Sequence, residues 1–432
     1  MAAASASVGA RWRTGRRPFS TVRRSTAPPV SPPPFKAPSK ARPSPGVPAG
    51  LPDGDDGHAP LDAVVFTVIV DDLVFADGAT KMGVLGGGGP QTAFGLRCHP
   101  SDPSVGLAAG VGPDLPAACT DWLRANDIDT AGLAFVRDRD GVVSGNGGDP
   151  TVDGWEGGGV DGSDFISPSE VAAGSAASKT PAGDVYRATP RAWQITEHDG
   201  RRTQVWRTPA CPDLFAMLRP PADILPAAYA GAAAYHIGVH PERPDLKLLH
   251  ALRANNPDAL VSVEPFTHAL APVTPERLRL LCTAGDIFSP NELEATSLVG
   301  PGTPLELVTR LAAAGARVVC LRRGSEGAVV HDAATGETWS VPAVLEEASG
   351  AVVDVTGCGN AFCGGFLASR LAGEELLDQV VWGSVAASLM AEAIGVPEIP
   401  AGSEECRGEA ARRASALRGL GQKLETNTMA AS

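Results

Sequence analysis

The stretch "VVDVTGCGNAFCGGFLASRL", from Val352 to Leu371, carries the most informative local pattern in the chain. A β-branched run enters a turn that contains Gly357 and Gly359, and Phe362 and Phe366 follow at helical spacing. The stretch therefore predicts a strand, a tight turn and a helix. Glycines let successive backbone N–H groups converge where a helix begins, and the helix dipole adds positive potential there. This pattern is typical of an anion cradle, although an ordinary strand-to-helix turn shares it.

Segments on both sides of this stretch alternate between apolar strands and helices. The run "AVVFTVIV", from Ala63 to Val70, is β-branched and short, which is typical of a strand covered on both faces. Further strands are predicted at "SVGLAAG", "AYHIGVH", "ALVSVEP" and "ARVVCLRR", with helices over Pro275–Ala284 and Pro304–Ala314. The alternation predicts an α/β fold with a central, mostly parallel sheet flanked by helices on both faces. Ligands of such sheets bind at the carboxyl ends of the strands.

Two segments lie outside this alternation. Residues 141–183 hold 11 glycines and little apolar periodicity, so we expect a disordered insertion there. The segment "RAWQITEHDGRRTQVWR", from Arg191 to Arg207, contains the turn signal Asp199-Gly200 between two β-prone runs. This pattern predicts a β-hairpin. We expect the hairpin to contribute to a small β lid over the ligand.

The charge of the chain is unevenly distributed. The net charge is −13 over 432 residues, yet residues 1–52 contain nine basic residues and no acidic one. An Arg- and Ser-rich, acid-free N-terminus is typical of an organellar transit peptide. We therefore expect residues 1–52 to be a disordered transit peptide and Pro-rich linker directed to the mitochondrion or the plastid, with a retained basic tail as the alternative.

Composition also excludes several classes of partner and site. The acidic body disfavours nucleic acid as a partner. No apolar run reaches the roughly 18 to 20 residues of a membrane helix, so no membrane partner is expected. The eight cysteines form no C-x-x-C pair, which disfavours zinc and disulfide frameworks. A P-loop is excluded because no G-x-x-x-x-G-K-[ST] motif occurs.

The motif "DVTGCGNAFCGGF" resembles the second signature of the pfkB family of sugar and nucleoside kinases, whose usual form is D-T-x-G-A-G-D-x-F-x-x-G-F. The matching positions are Asp354, Gly357, Gly359, Phe362, Gly365 and Phe366. Other stretches between residues 61 and 400 resemble the family in the same order. The resemblance implies a ribokinase-like kinase domain over 61–400, interrupted by the insertion, with 401–432 as a C-terminal tail.

Two stretches resemble the nucleotide side of the family. "SPNELEA" resembles the N-x-x-E element, which implies that Asn291 and Glu294 organise magnesium and the phosphates of ATP. A solvated helix carboxylate is the other interpretation of Glu294. "RRGSEGAVV" resembles T-x-G-x-x-G, which implies that Gly324 and Gly327 border the nucleotide. Arg322 stands where a hydroxyl residue is common, and its guanidinium could clamp phosphate.

"LGGGGPQTA" resembles the sugar-side G-G-x-x-x-N element, with Gln91 in place of Asn. The resemblance implies that a small hydroxylated substrate contacts Gln91 and the run Gly86, Gly87, Gly88 and Gly89, although a floppy surface loop has the same sequence. It also implies that Asp72 accepts substrate hydroxyls and that Asp354 lies near a metal site for a monovalent cation. Stabilisation of a turn is the alternative for both aspartates.

The chain departs from the family where Asn360 replaces the catalytic aspartate, next to the cradle residues Gly357, Cys358 and Gly359. In these kinases the carboxylate takes a proton from the attacking hydroxyl, which an amide cannot do. General-base assistance contributes about 100- to 10,000-fold. Phosphoryl transfer otherwise depends on positioning and electrostatics, which an amide can still support. Two interpretations therefore stay open: an ATP-dependent phosphotransferase, which could dimerise through its lid, or a pseudokinase that binds ligands or acts as a scaffold.

Overall fold

The computed structural model describes residues 59–136, 165–166, 187–198, 202–207, 214–244, 246–345 and 351–425. The segment 1–52, expected to be a transit peptide, lies outside the described residues. So does most of the insertion over 141–183. Both expectations therefore stay predictions.

The described strands and helices alternate over much of the chain. The strands are β1 (Ala63–Phe66), β2 (Ile69–Val74), β3 (Thr80–Gly86), β4 (Val105–Val111), β5 (Ile128–Asp129), β6 (Leu133–Val136), β7 (Phe165–Ile166), β8 (Arg191–Thr196), β9 (Arg202–Trp206), β10 (Ala234–Val239), β11 (Leu260–Pro265), β12 (Ile287–Phe288), β13 (Val318–Arg322), β14 (Ala328–Asp332), β15 (Thr338–Val341) and β16 (Gln422–Lys423). The helices are α1 (Gly88–Arg97), α2 (Ala117–Ala125), α3 (Leu214–Leu218), α4 (Ala227–Ala230), α5 (Lys247–Asn255), α6 (Pro275–Cys282), α7 (Glu292–Val299), α8 (Pro304–Ala313), α9 (Cys358–Leu371), α10 (Leu376–Ala391) and α11 (Glu404–Arg418).

A large sheet forms the centre of the molecule, with the order β16-β15-β14-β13-β12-β11-β10-β1-β4-β6-β7 and β5 beside β4. All neighbours from β13 through β6 pair in parallel, and the strands beyond these two pair antiparallel. The prediction of a mostly parallel central sheet is confirmed. Strand β7 belongs to the segment predicted to be disordered, and its two residues pair with β6.

The sheet is covered on both faces, as the sequence predicts. Side chains of successive strand residues point to opposite faces. Val65 and Leu107 therefore pack into one buried cluster with α1, α9 and α10. Val64 and Ile237 pack into another cluster with α5, α7 and α8. No helix among the described residues is both long enough and apolar enough to cross a membrane.

A second sheet of four strands, in the order β3-β2-β8-β9, forms the lid. Strands β8 and β9 form the predicted hairpin. The prediction of one strand over Ala63–Val70 is wrong, because β1 belongs to the large sheet and β2 to the lid. The chain turns between them at Thr67, whose φ of 84° interrupts the extended backbone.

The C-terminal segment expected to be a tail continues the fold. Helix α11 buries Ala410 and Leu417 in the cluster that contains Val65. Strand β16 then pairs with β15 at the edge of the large sheet. The spacing of these small apolar residues in a charged helix gave only a weak signal, which explains why the sequence did not predict their burial.

Candidate functional site

Two helices begin at the same place in the molecule. A side chain at Gly95 of α1 would overlap the backbone oxygen of Ala361 in α9, and a side chain at Gly364 would overlap that of Thr92. Glycine at these positions lets the two helix backbones approach closely. The close packing brings the N-terminal ends of α1 and α9 together, and each end contributes positive potential.

The turn before α9 differs from its prediction. Residues 351–355 form no strand; instead the N–H groups of Val353 and Asp354 both donate to the carbonyl of Ala391, at 2.8 and 3.1 Å. Gly357 then adopts a φ of 85° as the N-cap of α9, without a side-chain cap. Because the cap residue is a glycine, it offers no side chain to accept the first N–H groups of the helix; the N–H of Cys358 donates instead to the carbonyl of Val355 at 3.3 Å.

Asp354 holds this turn. Its Oδ1 accepts the N–H of Thr356 at 2.9 Å, and its Oδ2 accepts that of Gly395 at 3.4 Å. The geometry matches the turn-stabilising alternative, and the role beside a monovalent cation stays a prediction.

Gln91 and Asn360, the two amide residues that the sequence analysis singled out, contact each other. Asn360 Nδ2 donates to Gln91 Oε1 at 2.6 Å. A Cβ at Gly357 would lie 2.5 Å from the side chain of Gln91, and one at Gly88 would lie 3.6 Å from Asn360 Oδ1. The structure thus brings together four predicted site residues from two distant parts of the chain. We refer to Gln91 and Asn360 as the amide pair.

The glycine run before α1 is an ordered connection from the lid, not a floppy loop. Gly86 ends β3, and Gly87 is the N-cap of α1 with a φ of 87°. A Cβ at Gly87 would meet the backbone oxygen of Thr67 at 2.9 Å. Gly88 and Gly89 form the first turn of the helix. Because a φ in this region favours glycine, residue 87 has little freedom to change.

Asp72 is already engaged within the lid. Its side chain is 1% exposed, its Oδ1 accepts the N–H of Gly83 at 2.8 Å, and its Oδ2 forms an ion pair with Arg207. Its assignment as an acceptor of substrate hydroxyls stays a prediction. Asp71, the residue before Asp72 in β2, faces Gly86 instead, since a side chain at Gly86 would overlap the carboxylate of Asp71.

The sequence analysis did not single out Asp71. Its Oδ1 accepts the side-chain N–H of Gln194 at 3.0 Å. Burial raises the pKa of Asp71 to about 6, helped by the negative charges of Asp72 and Asp354 and opposed by the Gln194 hydrogen bond and the Arg202 guanidinium. Asp71 directly precedes Asp72 in the chain, and only the pleat of β2 shows which of the two faces the glycine run.

On the other side of α9, Arg322 joins two buried carboxylates. Its Nη2 lies 3.2 Å from Glu264 Oε2 and 3.5 Å from Glu294 Oε2, and it donates to the carbonyl of Ser289 at 2.7 Å. A side chain at Gly359 would overlap Arg322 Nη1. We refer to Arg322, Glu264 and Glu294 as the ion network. Glu264 went unnoticed in the sequence, although an acid at the carboxyl end of "ALVSVEP" could have indicated it.

The two carboxylates of the ion network differ in their proton affinity. Burial alone would raise the pKa of Glu264, but Arg322, His236 and Cys363 together hold it below its usual value. Burial raises the pKa of Glu294 to about 7, against the lowering effects of Arg322 and the Asn291 N–H. Arg322 therefore balances mainly the charge of Glu264 at neutral pH.

The residues around Glu294 do not fit a magnesium ion held by the protein. Glu294 Oε2 accepts the N–H of Asn291 at 2.7 Å in a capping box and faces Arg322. Asp354, the second expected metal ligand, holds the turn before α9. Magnesium requires a near-octahedral set of oxygen ligands. A fixed guanidinium between two carboxylates occupies the position that such a cation would need.

The remaining predicted residues lie around this centre. Gly324 and Gly327 shape the turn that follows Arg322, with φ values of 57° and 86°. Cys358 occupies the first position of α9, and burial raises the pKa of its thiol to about 12, so it is no thiolate nucleophile.

Behind the ion network, His236, Glu264 and Cys363 place three possible metal-ligand atoms within 4.8 Å of one another. Arg322 already supplies the positive charge that balances the carboxylate of Glu264.

Comparison with known proteins gives several kinases among the relatives. Residues 229–400 match the model of the pfkB family carbohydrate kinases. A cytidine kinase of Thermococcus kodakarensis is 32% identical over 152 residues, which cover 35% of this chain and 52% of that enzyme. The chain thus matches about half the length of this curated relative.

Solved structures resemble the whole architecture. The ribokinase of Arabidopsis thaliana, complexed with ribose and ATP, superimposes with a TM-score of 0.53 at 16% identity and covers 83% of this chain and 99% of that one. A ribokinase II structure from E. coli, in complex with ATP and Mg²⁺, gives a TM-score of 0.53 at 16% identity over 82% of this chain and 100% of that one. The fold is therefore ribokinase-like, and residues 229–400 are similar to the pfkB family of carbohydrate kinases.

Proposed function

We propose that the chain is an ATP-dependent phosphotransferase that acts on a hydroxyl group of a small sugar or nucleoside. The observation that carries the proposal is the meeting of two helix N-termini, α1 and α9, at a glycine-lined opening next to the lid. Helix N-termini bind phosphate through backbone N–H groups and the dipole. The family match and the names of the relatives, a cytidine kinase and a ribokinase solved with ribose and ATP, support this choice of reaction and substrate class.

In this proposal each flank of the opening has its own task. The terminal phosphate of ATP is bound at the cradle of Gly357, Cys358 and Gly359, where the N–H groups of the two glycines donate to it, and the turn with Gly324 and Gly327 borders the nucleotide. The acceptor lies between the glycine run and the lid, where Asp71 and Asp72 are the nearby carboxylates. Magnesium accompanies ATP in the E. coli neighbour, but the proposed reaction does not require a metal ion held by Glu294 or Asp354.

Asn360 would orient the attacking hydroxyl through its carbonyl oxygen. Its Nδ2 is bound to Gln91, which leaves Oδ1 as the group available to accept a hydrogen bond. Such positioning supplies much of the acceleration of phosphoryl transfer. Neither amide takes up the proton of the hydroxyl, which passes to a phosphate oxygen or to water as the new P–O bond forms and the bond to ADP breaks, so we expect slow turnover.

The amide pair also favours a second candidate, a pseudokinase that binds the same ligands without transferring phosphate. Neither Asn360 nor Gln91 can act as a general base. Both candidates predict binding of a phosphate ligand at the start of α9. They differ only in whether ATP is consumed when an acceptor is present.

The deciding experiment measures acceptor-dependent ATP consumption by the full chain with ribose, fructose 6-phosphate, cytidine and adenosine. We expect slow turnover with one of them, and an increase of about 100-fold or more in Asn360→Asp, because the variant restores a carboxylate base. Asn255→Asp, in α5 outside the site, is the matched control and should leave turnover unchanged.

An inert wild type beside an active Asn360→Asp variant would favour the pseudokinase. Equal turnover by the wild type and Asn360→Ala would contradict the role given to Asn360.

A further inference from the structure

Arg322 lies where the nucleotide-side turn meets the first turn of α9. Its backbone N–H donates to the carbonyl of Pro290 at 3.0 Å, and the residue forms an isolated bridge with Asn291. From this anchored position the side chain reaches across to Gly359. Any side chain at residue 359 would overlap Nη1, so the guanidinium reaches the helix start only because this residue is glycine.

The hydrogen bonds and ion pairs of the guanidinium are all on one side. Its Nη2 serves the carbonyl of Ser289 and both Glu264 and Glu294. Its Nη1 makes no hydrogen bond to any residue that the structure describes, and its buried Nε is also without a partner there. A guanidinium is a planar fork that binds phosphate oxygens through two N–H groups. Of the two unpaired nitrogens, Nη1 is the one that lies beside Gly359, in the first turn of α9.

We propose that Arg322, in place of a magnesium ion held by the protein, is the fixed cation that binds a phosphate group at the start of α9, so that phosphate binding there does not depend on magnesium. The inference rests on the proposed binding of a phosphate ligand at this helix end, but it does not require phosphoryl transfer. The ligand is the terminal phosphate of a nucleoside triphosphate or a related polyphosphate.

The two carboxylates explain how the guanidinium keeps its position. Glu264 and Glu294 approach Nη2, on the side away from Gly359, and hold the plane of the guanidinium against the helix end. The carboxylates are then occupied, and a divalent cation beside them would be repelled by Arg322. Arg322 thus neutralises the two carboxylates and contacts the phosphate at the same time.

The test is isothermal titration calorimetry of the full chain with ATP and, separately, with inorganic tripolyphosphate. Each titration is run with MgCl₂ and with EDTA at matched ionic strength, because exposed charges are screened by salt. We expect the wild type to bind both probes with affinities that differ less than about threefold between the two conditions. Arg322→Thr should weaken binding about 10- to 100-fold, the usual worth of a charged hydrogen bond.

Arg323→Thr is the matched control. It removes the same charge one residue later, where the side chain pairs with Glu292 and Glu326. This variant should bind both probes like the wild type. Loss of binding in both arginine variants would contradict a specific role for Arg322.

Arg322→Thr leaves Glu264 buried without its partner, so its fold is checked by circular dichroism. The double variant Arg322→Thr with Glu264→Gln removes that unpaired charge and must show the same loss of binding. Binding by the double variant equal to that of the wild type would overturn the proposal. So would a wild type that loses more than tenfold in affinity in EDTA, or that binds neither probe.

The proposed phosphotransferase function can be contradicted while the role of Arg322 in phosphate binding is supported. A wild type that binds tripolyphosphate without magnesium, yet consumes no ATP with any acceptor, would support the inference and contradict the phosphotransferase function.

Discussion

The two flanks of the first turn of α9 have opposite chemistry. On one flank Asn360 and Gln91 form a neutral amide pair at 2.6 Å. On the other flank Arg322 joins Glu264 and Glu294 in a buried ion network. Asn360, Gln91 and Arg322 each stand where the family resemblance implies another residue, and each contacts a polar partner, although Nη1 and Nε of Arg322 have none among the described residues. One flank is thus neutral, while the other carries a permanent cation.

Carboxylates near the two flanks show the same contrast. Asp71, bound to the neutral amide of Gln194, has its pKa raised by burial to about 6. Glu264 is equally buried, yet Arg322 and its other partners hold its pKa below the usual value. The partner, rather than the depth of burial, decides the sign of the shift.

The largest expected effect comes from breaking the ion network. Glu264→Gln leaves the buried Arg322 with Glu294 alone, so we expect a loss of about 3–5 kcal/mol in the free energy of unfolding. Urea denaturation at pH 7 measures this loss. The control is Glu326→Gln, which removes an exposed carboxylate from the neighbouring Arg323 and should cost less than about 1 kcal/mol.

A double variant sharpens this test. Glu264→Gln combined with Arg322→Met removes the buried cation as well, so the two costs should not add. An additive result, or a loss below about 1 kcal/mol for Glu264→Gln alone, would contradict the account of the ion network.

The second effect is a pH dependence of stability that comes from Asp71, near the flank with the amide pair. A carboxyl group with a raised pKa in the folded state binds more protons when folded, so its stabilisation is complete below pH 3.8 and is lost as pH rises to about 6. The size is at most about 3 kcal/mol, since each pKa unit is worth about 1.4 kcal/mol. Asp71→Asn should reduce the slope of the unfolding free energy between pH 4 and 7 by this share, while Glu294, whose pKa is raised to about 7, keeps its own slope of the same sign.

Asp77→Asn, which changes an exposed carboxylate of the same lid, serves as the control. Persistence of the full slope in Asp71→Asn would show that another group causes it. Glu264 works in the opposite direction, because a depressed pKa gives stability above the usual value and loses it in acid.

The sequence predicts the parallel sheet, the helices on both faces and the lid hairpin, because these follow from apolar periodicity and turn residues. It also identifies Gln91, Asn360 and Arg322 as departures from a family pattern. It does not predict that Gln91 contacts Asn360, because the two residues are 269 positions apart and meet only through the close packing of α1 and α9. Nor does it predict that Arg322 pairs with Glu264, because ion pairs between distant strand ends leave no local pattern.

The smallest single effects are expected at the amide pair. Asn360→Asp replaces the donor of the 2.6 Å hydrogen bond, but Gln91 can rotate its amide and donate in return. Gln91→Glu keeps the acceptor that Asn360 already uses. Each single variant should therefore change the free energy of unfolding by less than about 1 kcal/mol.

The double variant places two carboxylates in contact, so either their repulsion destabilises the fold or one of them stays protonated. Its cost in urea denaturation should exceed the sum of the single costs, and the excess should grow from pH 5 to pH 8 as both groups ionise. Strictly additive costs at every pH would mean that the two side chains do not meet in solution, and the neutral flank would then lose the contact that sets it apart from the charged one.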